Sequence, residues 1–75
     1  MNEETFKVRA YGFGELAQLY FPNLSKRSAS AQLRNWIKEN PKFIVELEAV
    51  GFYFGKKILS PMIVKIIVAL FGEPG

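Results

Sequence analysis

Apolar and basic residues separate onto opposite faces of one predicted helix, the segment from Ser25 to Asn40. The spacing i, i+4, i+7, i+8 puts four apolar side chains on one helical face: Ala29, Leu33, Trp36 and Ile37. Four others fall on the far side, flanked by Asn35: Arg27, Ala31, Arg34 and Lys38. This pattern fits a helix that reads DNA and equally an ordinary surface helix, so both interpretations stay open here.

Three further helices are predicted from the same periodicity. They are Glu15–Phe21, Lys42–Val50 and Met62–Phe71. Pro22 ends the first of them, whereas Asn40-Pro41 and Ser60-Pro61 each provide a cap and a first helical position for the other two. Gly51 and Gly72 follow as terminators, Gly51 in a left-handed conformation. Ser25 or Ser28 caps the basic helix.

Two segments have the character of β-strands. Thr5–Tyr11 alternates apolar and basic residues, which predicts a short half-buried strand, or an extended arm if the segment finds no partner. Gly12 and Gly14 then predict a turn. Phe52–Leu59 predicts a small hairpin or a single bent strand that pairs with Thr5–Tyr11. The expected fold is therefore mainly α: a small four-helix domain with a helix-turn-helix-like pair and a short β element.

The last predicted helix is apolar on nearly every side, with Lys65 as the one polar residue of Met62–Phe71. One stripe, through Ile63, Ile67 and Leu70, is expected to face the core. We expect Val64 and Val68 to lie on the opposite side and to form an interface with a second copy or a protein partner. The alternative is that the N-terminal strand or the hairpin covers them.

The length and composition indicate one domain, residues 1–75, with residues 1–4 as a frayed terminus. The chain has no Cys, no N-terminal apolar stretch of a signal peptide, and no apolar run near the 20 or so residues that cross a bilayer. We expect a cytoplasmic protein without a membrane partner. The net charge is +3, and the segment 26–42 carries five Lys or Arg against Glu39, which favours a polyanionic partner or a solubilising face.

Catalysis is poorly supported by the sequence. Without His, Cys or Asp, neither a nucleophilic triad nor a zinc ligand set can be assembled. Glu46 and Glu48 point away from each other at i, i+2 on a helix, and Gly12-Phe13-Gly14 lacks the context of a dinucleotide site. We therefore predict that the chain is not an enzyme and has no cofactor, no metal and no small-molecule substrate.

The short first helix, a turn and the basic helix have the order of a helix-turn-helix domain, in which the second helix enters the major groove of double-stranded DNA. Arg34 and Asn35, with Ser30 or Ala31, are the candidates for base contacts. The candidates for phosphate contacts are Lys26, Arg27 and Lys38, with Lys56 and Lys57 as a small wing. Trp36 is predicted to lie in the core. The leading hypothesis is a small regulatory DNA-binding protein; the alternative is a protein-interaction module that acts through the apolar last helix, without nucleic acid.

Nearly the whole chain resembles a family of short, uncharacterised bacterial proteins, found mainly in gut Bacteroidetes and classed as a domain of unknown function. The resemblance rests on Tyr11-Gly12, the Glu15–Tyr20 block, Pro22, Ala29, Leu33, Trp36-Ile37, Gly51, Pro61 and Gly72-Glu73-Pro74. It implies a stand-alone small domain, for which a helix-turn-helix role in DNA binding is a reasonable hypothesis, and it carries over no binding residue. Ile63 and Val64 are more apolar than the family pattern leads us to expect, which favours a dimer or a partner.

Overall fold

The structure of the chain, a computed structural model, describes residues 6–74. The elements follow in the order β1 (Tyr11–Gly12), α1 (Phe13–Tyr20), α2 (Lys26–Lys38), α3 (Pro41–Ala49), β2 (Ile58–Leu59) and α4 (Pro61–Phe71). The predicted mainly α fold with four helices and a small β element is confirmed. All four predicted helices lie within two residues of the observed boundaries.

The helix boundaries follow from local capping chemistry. The hydroxyl of Ser25 accepts a hydrogen bond from the Ser28 N–H at 3.1 Å, so Ser25 and not Ser28 caps α2. Ser60 caps α4 in the same way, accepting from the Ile63 N–H at 3.3 Å, and Pro61 takes the first helical position.

The predicted strand Thr5–Tyr11 is wrong over most of its length. Only Tyr11 lies in a strand, residues 6–10 have no strand structure, and Thr5 and the terminus 1–4 fall outside the described residues. The segment folds back on Tyr11 instead: the Phe6 ring stacks on the Tyr11 ring at 5.3 Å, and the Tyr11 hydroxyl donates to the Lys7 carbonyl at 2.8 Å. Within residues 6–74, the strand that pairs with Tyr11 has only two residues, so it cannot form ladder hydrogen bonds with residues 6–10 as well.

The predicted pairing between the two β segments is confirmed, in antiparallel register, with Tyr11 opposite Leu59 and Gly12 opposite Ile58. The hairpin alternative is not formed, since Phe52–Leu59 contributes the single strand β2.

The predicted turn at Gly12 and Gly14 is also wrong, because β1 runs directly into α1. The Gly12 N–H donates to the Glu15 side chain at 3.1 Å and the Phe13 N–H donates to the Lys57 carbonyl at 2.7 Å, which satisfies the first free donors of the helix. Neither glycine has a positive φ. Gly14 permits close approach of the two helices: a Cβ there would lie 2.7 Å from Cγ of Lys26.

One core fills the space between the four helices and the β pair. Its largest fully buried side chains come from all of them: Leu16, Leu33, Ile37, Leu47, Leu59, Ile63, Val64 and Ile67. Trp36 is half-buried and packs against this core, with its ring 4.7 Å from those of Phe21 and Phe71. Its predicted core position is met only at the margin: the ring packs against the buried residues and is not one of them.

The placement of Val64 on an uncovered side of the last helix is wrong. Val64 is fully buried within the single chain, and Val68 is half-buried against the same core. The domain covers more than one stripe of α4, since Val64 is buried together with Ile63 and Ile67. Met62, with 55 % exposure, is the large apolar side chain of α4 that stays most open to solvent. No helix in the described part of the chain has the length and apolar character needed to cross a membrane.

Candidate nucleic-acid interface

The apolar face of α2 is buried and its basic face is more open to solvent, as predicted. Ala29, Leu33 and Ile37 are fully buried, whereas Arg27 and Lys38 are exposed and Arg34 is half-buried. Burial of the apolar face fixes the rotation of the helix about its axis. The basic side chains are therefore directed away from the core.

A groove of about 830 Å³ lies between α2, the first turn of α1 and the loop that precedes β2. Five cationic residues line it: Lys26, Arg27, Arg34, Lys56 and Lys57. Glu15 is the one carboxylate in its lining. Two basic segments that are far apart in sequence thus face one concave surface.

Backbone contacts hold the loop wall of this groove in place. The Lys57 carbonyl accepts from the Phe13 N–H, and the neighbouring Ile58 pairs with Gly12 in the β ladder. Within the loop, the Lys56 N–H donates to the Tyr53 carbonyl at 3.1 Å, around Gly55 with its φ of 103°. Phe52, which is 3 % exposed, anchors the start of the loop in the core.

Most of the predicted site residues are brought together at this groove. Lys26, Arg27, Ser30, Ala31, Arg34, Lys56 and Lys57 all line it. Lys38 lies at its edge, with its ammonium 5.6 Å from the ring centroid of Phe54, a lining residue. Asn35 is exposed on α2 but is not part of the lining. Predicted partner residues Val64 and Val68 lie elsewhere, in and against the core.

The groove also contains aromatic residues that were not among the predicted site residues. Phe13 and Phe54 line the groove, and the Arg34 guanidinium lies over the Phe13 ring at 5.7 Å. Next to the groove, the Lys56 ammonium lies over the Tyr53 ring at 5.1 Å. A signal was present in the sequence, because Phe52-Tyr53-Phe54 stands directly before Gly55-Lys56-Lys57.

The carboxylate of the groove is already engaged by other groups. The Gly12 N–H donates to Glu15, and Arg9 forms an ion pair with it at 3.3 Å. These two contacts, the backbone hydrogen bond first, hold the pKa of Glu15 below its ordinary value of 4.5. Within residues 6–74 this is the only ion pair, so no Glu neutralises Arg34 or Lys38 there.

The described residues contain no group of three or more His, Cys, Asp or Glu able to hold a metal ion. Apart from the already engaged Glu15, the functional groups at the groove are hydrogen-bond donors, cations and aromatic rings, which bind anions and planar rings.

Comparison with protein families gives a match to the family described as "Domain of unknown function (DUF4248)", over residues 7–74. This match confirms the predicted relationship to a domain-of-unknown-function family; an origin in Bacteroidetes stays a prediction. Neither the curated proteins nor the solved structures give a match.

Proposed function

We propose that this chain, which belongs to the DUF4248 family of domains of unknown function, binds DNA through the basic groove. The observation that carries the proposal is the meeting of cations from α2 and from the 52–58 loop at one concave surface. Arg and Lys side chains dispersed over a solubilising surface have no reason to converge in this way. The role we propose is regulatory or accessory, cytoplasmic and non-catalytic.

In this proposal α1 and α2 form a helix-turn-helix unit joined by the five residues Phe21–Ser25. α2 lies along the major groove of double-stranded DNA, supported from behind by α1. Arg34 reaches base edges from the middle of α2, with Ser30 one turn before it and Asn35 on the neighbouring flank. Lys56 and Lys57 contact the phosphates beside the helix as a short wing, and Lys26, Arg27 and Lys38 contact phosphates along it.

Charge sets the strength and the salt dependence of this binding. If about four of the cations neutralise phosphates, the slope of log K against log salt is about −3.6, and affinity falls about 150-fold between about 50 and 200 mM salt. A single copy of the domain therefore binds DNA mostly through sequence-independent contacts.

The test is fluorescence anisotropy with a labelled random-sequence duplex at both salt concentrations. The variant is Arg34→Gln/Lys38→Gln, and its matched control is Lys42→Gln/Lys65→Gln, which loses the same charge at exposed positions outside the groove lining. We expect the wild type and the control to bind alike, and the groove variant to bind more weakly and to lose about 0.9 unit of salt slope for the phosphate contact of Lys38. Equal loss in both variants, or no binding by the wild type at low salt, contradicts the proposal.

A second candidate function is protein interaction through α4, by a homodimer or another partner. The exposure of the large apolar side chain of Met62 in the first turn of α4 favours it. Sedimentation of the wild type and of Met62→Lys tests it: a wild-type dimer that the variant converts to a monomer supports this function, and two monomers contradict the homodimer.

A further inference from the structure

Two aromatic rings that line the groove each lie under a cation. The pairs are Phe13 with Arg34 and Phe54 with Lys38. Phe54 is 37 % exposed although it is a large apolar residue. Phe13 also packs against the core, whereas Phe54 stays open to solvent, so the exposed Phe54 ring is the feature that phosphate binding alone does not explain.

From these rings we infer that the groove binds unpaired DNA bases, so that the protein binds a single-stranded segment more tightly than a closed duplex. The inference rests on the proposed DNA binding and extends it: the cations that contact a duplex also hold an unpaired strand, whose exposed bases the rings can contact. The faces of paired bases are covered by their neighbours in a duplex and are not available to an aromatic side chain. In a single strand each base offers an open face, and stacking on a protein ring is the usual way to hold it.

Phe54 is the ring best placed to stack on a base. Its edge contact with Phe52, at 5.3 Å between centroids, supports the ring from one side, and Phe52 is anchored in the core. The ammonium of Lys38 is the described cation over its face, on a long exposed side chain that can move aside. After a base has replaced it, the same ammonium is within reach of the adjacent phosphate.

The guanidinium of Arg34 offers a second planar group across the groove. It lies over the Phe13 ring, and a guanidinium plane also stacks on bases. The phosphates of the bound strand then contact cations on both walls of the groove: Arg27 on α2, and Lys56 and Lys57 on the loop. An alternation of rings and cations along a groove is the arrangement by which proteins bind single strands without strong sequence preference.

The experiment compares three labelled ligands of about 12 nucleotides, which is within the usual site size for one small domain. They are oligothymidine, an abasic strand with the same number of phosphates, and a duplex. We expect oligothymidine to bind at least about fivefold more tightly than the abasic strand, since the two differ only in their bases. We also expect it to bind more tightly than the duplex.

Phe54→Leu removes the aromatic face but keeps an apolar side chain of similar reach. We expect it to lose about fivefold or more on oligothymidine and nothing on the abasic strand. Tyr53→Leu is the matched control, because Tyr53 is 59 % exposed and does not line the groove, and we expect no comparable loss from it. The comparison of ligands uses the wild type, so it stands even if a variant is unstable.

The outcomes separate the two proposals. Equal affinity for oligothymidine and the abasic strand overturns the inference about bases, while salt-sensitive duplex binding keeps the proposed function. Tighter binding to the duplex than to oligothymidine also overturns the inference. Absence of binding to all three ligands at low salt overturns both.

Discussion

Replacing Gly51 with alanine tests how the chain leaves α3 and enters the loop wall of the groove. Gly51 has a φ of +96°, in the region that residues other than glycine rarely adopt. A Cβ built at this position meets no atom within 4 Å. The cost of the substitution is therefore a backbone cost alone, without a clash with neighbouring side chains.

The expected loss of stability follows from this backbone cost alone. A left-handed conformation costs an alanine about 1–2 kcal/mol. For a domain of this size, each kcal/mol lowers Tm by about 4–8 °C, so Gly51→Ala should melt about 4–16 °C below the wild type. If the chain relaxed to avoid the strain, it would disturb the hydrogen bonds from Gly51 N–H to the Glu48 carbonyl and from Phe52 N–H to the Leu47 carbonyl.

The assay is thermal unfolding followed by circular dichroism, with Gly14→Ala as the control glycine substitution. Gly14 lies inside α1 with a negative φ, and a Cβ there meets only the flexible side chain of Lys26. Higher helix propensity offsets part of the cost of displacing the Lys26 side chain, and we expect a Tm within a few degrees of that of the wild type. Gly51→Asn should lie between Gly51→Ala and the wild type, because Asn tolerates left-handed φ. A Tm for Gly51→Ala as high as that for Gly14→Ala would refute this reasoning.

Four further predictions concern the groove, the core and the chain end. Lys56→Gln/Lys57→Gln should reduce the salt slope of duplex binding by up to about 1.8 if both residues contact phosphates, and an unchanged slope would remove the loop from the interface. Glu15→Gln should be less stable than the wild type near neutral pH, because the contacts of the charged carboxylate stabilise the fold above an unfolded pKa near 4.5. The difference in stability should vanish as the pH falls through the lowered pKa of Glu15 in the folded protein. A Tm difference that persists in acid would contradict this. Val64→Ala should cost about 2 kcal/mol at every protein concentration, whereas a concentration-dependent loss would indicate an interface. Burial raises the pKa of Tyr20 to about 12. The difference in alkaline absorbance between the wild type and Tyr20→Phe should therefore titrate near that pH. A difference that titrates near pH 10 would contradict the burial of this phenol.

The Tyr20 phenol also stabilises the fold through a hydrogen bond. Its hydroxyl donates to the Gly72 carbonyl at 2.5 Å and ties the end of α4 to α1. The neutral phenol is the form that donates. The stability that depends on it is therefore complete below the ordinary pKa of 10.0 and is lost as the pH rises through about 12.

The helices were predictable because their signals are local. The period of apolar residues in α2, the serine caps Ser25 and Ser60, and the prolines at positions 41 and 61 act over one or two turns of chain. The same locality explains the error at Thr5–Tyr11. Alternation there has the period of a strand, but a strand also needs a neighbour of matching length, and β2 has only two residues.

The groove was only half visible in the sequence. The amphipathic pattern of α2 identified Arg27, Arg34 and Lys38 as outward-facing. Separately, the sequence showed the pair Lys56-Lys57 as a basic segment of the loop. Nothing local related the two segments to each other. Their meeting depends on the β1–β2 pairing and on the bond from Phe13 N–H to the Lys57 carbonyl, which join residues more than forty positions apart.

The sequence by itself thus determined the four helices, their caps and the separation of a basic from an apolar face on α2, because each depends on neighbours within a few residues. The tertiary structure alone decided that Val64 is buried, that Phe13 and Phe54 share a groove with the cations, and that Glu15 is engaged by Gly12 and Arg9. Burial and convergence are properties of which distant segments pack together, and the free energy that selects this packing is summed over the whole core rather than encoded in any one stretch of the chain.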